Sequence, residues 1–189
     1  IAVFFLARVL AILYFMNNID DESIRSQSWN RLLPESIAFL LFFLAFLAHW
    51  LIADGFAVNP DTQEIFMQPY KYALNLLEMP YVTSILLVGV ILVLWGIGKT
   101  YLNPSYREGI WFSGTGTVLT VLALLLCAGW NHTAYYPSIS DLQSSLTLQN
   151  SCSSPFTLKV MSSVSILIPF VLAYIFYAWR AIDLKPGKK

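Results

Sequence analysis

The sequence has 189 residues, 57% of them hydrophobic and 12% charged, with eleven Lys and Arg against eleven Asp and Glu. Soluble domains carry about 25% charged residues, so this composition, with a mean hydropathy of +0.63, excludes an ordinary water-soluble core. It also leaves no basic surface of the kind that holds nucleic acid.

In chain order, five apolar runs stand out: residues 1–16, 37–53, 81–98, 110–130 and 160–179. A helix crossing the hydrocarbon core needs about 20 mostly apolar residues, with roughly 17 as the lower limit, and the last four runs qualify. The first is short and starts on Ile1 rather than Met, which reads as a helix whose beginning is missing. A signal peptide is disfavoured there, because Arg8 interrupts the apolar run and no small-residue cleavage pattern precedes the polar residues. The expectation is an all-α, polytopic membrane bundle of about five transmembrane helices. It forms one domain over 1–189, with helices near 1–16, 37–53, 81–98, 110–130 and 157–179.

The connections differ in character. Residues 17–36 mix charges and end near Pro34, which suits the first turn of the next helix. Residues 54–80 are rich in aromatics and carry a helical pattern over 70–79, predicting a short helix in the membrane interface. Residues 131–159 are full of Ser, Thr, Asn and Gln, side chains that favour local hydrogen bonds, so a folded piece over the helix ends is expected. Cys127 lies in the fourth run and Cys152 in this last connection, at different depths, and they are not expected to pair.

Lys and Arg alternate across these connections. Arg25, Arg31, Lys99, Arg107, Arg180, Lys185, Lys188 and Lys189 fall on one side, whereas only Lys71 and Lys159 fall on the other. The excess of basic residues marks the cytoplasmic side, so the C-terminus is predicted to be cytoplasmic.

Chemistry-bearing residues within the runs are few. Arg8 lies mid-span, where a charge costs roughly 2.5–3.5 kcal/mol on insertion scales and seeks a partner. His49 and His132 come out at the same membrane face and invite comparison with a pair of haem ligands, but their positions at span ends favour interfacial hydrogen bonding. Trp and Tyr near the boundaries read as an aromatic belt. Ser113, Gly114, Gly116, Thr117 and Thr120 form a small-residue set suited to close helix packing, and Pro169 predicts a kink in the fifth run. Asn131-His132-Thr133 fits a glycosylation acceptor, a short match frequent by chance. No metal-binding or nucleotide-binding motif is present.

An ordered pattern carries a family resemblance. Asp54-Gly55-Phe56-Ala57-Val58 is similar to the exit of the sixth helix in subunit II of cytochrome bd quinol oxidases. Tyr136-Pro137-Ser138, Ser145-Leu146-Thr147, Asn150, Ser153-Ser154 and Thr157-Leu158 with Met161 resemble the loop and helix start before that subunit's last span. Ile168-Pro169 and the aromatic run from Tyr174 to Trp179 continue the likeness. The version here, AYYPS followed by DLQSSLT, is similar to those of the Bacteroides group. The resemblance covers essentially the whole chain, as the C-terminal half of a nine-helix subunit.

It implies a multi-pass protein of the bacterial cytoplasmic membrane, part of a quinol:oxygen oxidoreductase that reduces oxygen to water and generates proton-motive force. Subunit I is the implied partner and holder of haem b and haem d. This half implies no catalytic, cofactor-binding or metal-binding residue of its own. Asp54, Gly55, Pro137, Ser145, Thr147, Asn150, Ser153, Ser154, Thr157 and Met161 are expected to be structural, and a quinone or lipid between the helices is compatible with the family. The competing class is a secondary transporter, which predicts inverted repeats and broken helices with polar midplane groups.

Overall fold

The computed structural model describes residues 1–183; the predicted basic tail of Lys185, Lys188 and Lys189 lies outside the described residues. Two compact units are present, Ile1–Leu148 and a second that starts at Gln149. Four helices are long and apolar enough to cross a membrane, Glu22–Ile52, Pro80–Leu102, Gly109–Gly129 and Pro155–Ala181, with Ala2–Asn18 as a shorter apolar helix. The chain is an all-α polytopic membrane bundle.

In the first unit, α1 (Ala2–Asn18) and α2 (Glu22–Ile52) form an antiparallel hairpin. The second helix begins well before residue 37. Asp21 caps it by accepting from the Ile24 N–H at 3.0 Å, and Pro34 lies inside the helix instead of opening it. At about 1.5 Å per residue its 31 residues span roughly 46 Å, more than the ~30 Å hydrocarbon core. The polar first third therefore extends beyond the apolar run. Val9, Leu13 and Met16 of α1 recur at helical spacing and bury against Leu32 and Phe39 of α2.

A two-stranded antiparallel hairpin, β1 (Gly55–Val58) and β2 (Ile65–Gln68), follows, with Gly55 opposite Gln68 and Val58 opposite Ile65. The helical pattern over 70–79 becomes α3 (Lys71–Glu78). Next come α4 (Pro80–Leu102) and α5 (Gly109–Gly129), the most intimately packed pair. Gly89, Val93 and Gly96 of α4 meet Ser113, Gly116 and Thr120 of α5. A Cβ on Gly116 would stand 2.5 Å from the Gly89 carbonyl oxygen, so the two backbones touch as small-residue membrane interfaces allow. Ser113 adds a bond to the Val93 carbonyl at 3.2 Å.

One end of this unit gathers the α1–α2 and α4–α5 connections. Trp29 stacks on Tyr101 at 5.5 Å and donates to its carbonyl, Arg25 donates to the Pro104 carbonyl at 2.8 Å, and Arg107 pairs with Asp20 at 2.6 Å.

The second unit contains a short turn α6 (Leu148–Ser151, begun by the last residue of the first unit), then α7 (Pro155–Ser165) and α8 (Ile168–Asp183). Ser154 caps α7 by accepting from the Thr157 N–H. The predicted disturbance at Pro169 appears as an interruption at Ile166 and Leu167. Proline has no N–H to give the preceding turn, and bonds from Phe170 and Val171 to the Leu167 carbonyl restart the helix.

Candidate functional site

At the end of the first unit opposite the Trp29–Tyr101 contact, β1, β2, α3 and residues 130–148 build a polar cap. Its centre is Asn75 of α3, fully buried. The Asn75 amide donates to the Cys127 carbonyl and the Thr133 hydroxyl, both at 2.9 Å, and its oxygen accepts from Asn131 at 3.0 Å. The amide of Asn131 also donates to Glu78. Asn131 and His132 both adopt left-handed backbone, with φ of 56° and 52°, a conformation that Asn tolerates better than most residues. This turn aims the Asn131 carbonyl at the Nζ of Lys71, 3.1 Å away. The acceptor-like tripeptide is thus occupied structurally.

Lys71 is 7% exposed. Burial lowers its pKa below the usual lysine value, with Glu78 opposing the shift. Burial also raises the phenol of Tyr72, which stacks on Trp50 at 4.7 Å. The segment after Asn131 then joins the hairpin. Val58 donates to the His132 carbonyl and Ala134 to the Phe56 carbonyl, both at 2.8 Å. Gln143 accepts from the Ile65 N–H at 2.9 Å and donates to its carbonyl at 2.8 Å, imitating a strand partner.

A second polar feature lies among the helices. Arg8 donates to Glu35, which is 8% exposed. Sequence reasoning overlooked Glu35 because residues 17–36 read as a connection. Beside the helices runs an apolar groove of about 450 Å³, lined among others by Leu6, Phe39, Phe43, Val93, Thr120 and Leu124.

The residues singled out from sequence distribute unevenly. Gly55 is buried, and a Cβ there would stand 2.6 Å from the Lys71 Cβ; Asp54 beside it is exposed. Ser145 is buried and accepts from the Ser138 N–H at 3.0 Å, next to exposed Pro137, and Thr147 is also buried. In the second unit, Ser154 and Thr157 bond each other at 3.0 Å, while Asn150, Ser153 and Met161 are exposed. His49 and His132 are exposed, and neither lines the groove. Among the described residues, no group of three or more His, Cys, Asp or Glu could hold a metal ion. Both cysteines are free, Cys127 buried and Cys152 exposed.

The family described as cytochrome bd terminal oxidase subunit II matches residues 1–182. The chain belongs to that family. No curated protein matches it. As a cytochrome bd subunit II it is a multi-pass protein of the bacterial cytoplasmic membrane and part of a respiratory oxidase, a haem-containing complex with a partner subunit. Asn75, which organises the cap, went unnoticed in sequence, and Lys71 and Asn131 were read there only as an outer-side charge and as part of an acceptor-like tripeptide. The one signal for Asn75 was its place on a short helix otherwise read as interfacial.

Proposed function

We propose that this chain serves a quinol:oxygen oxidoreductase as its structural and assembly half of subunit II, while subunit I holds haem b and haem d and carries out quinol oxidation and oxygen reduction. The family match over residues 1–182 carries this reading. The cap supports it. Its polar side chains bond one another and backbone carbonyls across α3 and the connection after α5, as a folded piece that holds helix ends together requires. The secondary-transporter alternative has no comparable support.

Within that reading, the apolar groove beside Phe39 and Leu124 suits a quinone tail or a lipid chain, since clefts between bundle helices commonly hold apolar ligands. The basic connections around Arg25 and Lys99 face the cytoplasm by the positive-inside rule, and the cap faces outward.

Alanine substitutions separate assembly from turnover. In the oxidase containing this chain, Asn75→Ala should lower the amount of assembled, haem-loaded complex, because it strands buried polar groups at about 1–3 kcal/mol each. Asn150→Ala, Ser153→Ala and Thr157→Ala test the second unit in the same way. Turnover per haem d in the complex that does assemble should stay within about twofold. Normal assembly with turnover per haem reduced tenfold or more would place these residues in the catalytic pathway and reject the structural role.

A further inference from the structure

A cleft of about 370 Å³ opens between α1 and α2, lined by Arg8 and Phe15 of the first helix and by Ile24, Gln27, Ser28 and Arg31 of the second. Residues 24, 27, 28 and 31 form one stripe of α2 at helical spacing, as do 8 and 15 on α1. The cleft's polar groups are asymmetric in charge. Arg8 gives one N–H to Glu35, yet a guanidinium has five, and its side chain is 46% exposed. Arg31 is exposed and has no hydrogen-bond or ion-pair partner among the described residues. One carboxylate therefore answers two guanidiniums, and the cleft keeps a net positive charge.

Its position narrows the ligand. Gln27, Ser28 and Arg31 belong to the polar third of α2, whereas the apolar run begins a few residues later at Ile37. Arg8 lies over the Phe4 ring at 5.6 Å, on the apolar side. The cleft thus straddles the boundary between headgroup and hydrocarbon, with Phe15 and Ile24 as apolar walls. Guanidinium forks match the oxygens of a phosphate, and basic pockets between transmembrane helices take anionic headgroups. We propose that this cleft binds the phosphate of an anionic phospholipid through Arg8 and Arg31, with Glu35 fixing the Arg8 guanidinium from behind.

The assembled oxidase containing this chain, delipidated in neutral detergent and offered photoactivatable phosphatidylglycerol, provides the test. Peptide mapping should find label on the segments lining the cleft. Arg31→Gln should reduce that label about fivefold, the worth of one basic residue at a membrane surface, and Gln27→Glu should reduce it at least as much. Label at other sites should not change, and Arg31→Lys should keep most of it. Photoactivatable phosphatidylcholine, whose headgroup carries no net charge, should label the cleft more weakly. Equal cleft labelling in wild type, Arg31→Gln and Gln27→Glu would overturn the proposal. So would equal labelling by the two lipids, or full displacement by inorganic phosphate. A photo-crosslinker at Gln27 that captures only the partner subunit would likewise reject it in favour of a protein contact.

Discussion

Arg8 of the first helix and Glu35 of the second, 27 positions apart in sequence, form an ion pair between neighbouring helices. The carboxylate is the more deeply buried member, its side chain 9% exposed against 46% for the arginine. Removing one partner of such a pair costs more than removing both, because the survivor keeps its charge without compensation. Arg8→Leu alone should reduce the thermal stability of the assembled oxidase. Adding Glu35→Leu should recover most of the loss, with a coupling energy of about 1–3 kcal/mol in a double-mutant cycle. Additive losses would show that the pair does not couple.

The contact of Gly116 with the Gly89 carbonyl leaves no room for a side chain. Gly116→Val should push α4 and α5 apart at a cost of about 1–3 kcal/mol, the usual range for overpacking, and lower the melting temperature of the complex. Gly114 has open space around its missing Cβ, so Gly114→Ala is the matched control and should be nearly neutral. Equal effects at both positions would contradict a close α4–α5 backbone contact at Gly116.

Two groups of the cap give it a pH signature. The pKa of Lys71 is lowered by burial from 10.5, so just below that pH the unfolded segment holds more protons than the folded one, and stability rises with pH. That of Tyr72 is raised by burial from 10.0. Above that pH the unfolded phenol ionises first, and stability falls. Amide exchange over residues 71–79 and 131–134, corrected for its intrinsic rate, should show protection climbing as the pH approaches 10 and falling beyond it. Lys71→Met should flatten the rising limb and spare the falling one; an unchanged rising limb would show that Lys71 is not its source.

Orientation is testable with cysteines introduced on a Cys152→Ser background, in which the remaining Cys127 is buried. A cysteine at Ser140 in the cap segment should react with an impermeant maleimide in intact cells, and one at Ser105 between α4 and α5 only after permeabilisation. The reverse pattern would invert the topology.

The apolar runs made the spanning helices legible, because a membrane helix is defined mainly by a long stretch without charge. The start of α2 was not legible in the same way. Pro34 competes as an opening signal with the Asp21 cap, and the burial of Ser28 and Leu32 against α1 extends the helix past the proline. That misplacement hid Glu35 and with it the partner of Arg8. The hairpin of β1 and β2 gave no alternating pattern strong enough to read, since its pairing depends on backbone bonds from residues 132–134 that are distant in sequence. The polar content of residues 131–148 did predict a folded cap, but not that Asn75 would organise it, because that depends on the left-handed turn at Asn131 and His132.

A subunit that supports assembly while its own histidines hold no haem makes a definite spectroscopic prediction. The haem spectrum of the oxidase purified through a tag on this chain is compared between wild type and a His49→Ala, His132→Ala double variant. Haem b and haem d should stand in unchanged ratio to protein in both preparations. Loss of one haem per complex in the double variant, with the complex otherwise assembled, would contradict the claim.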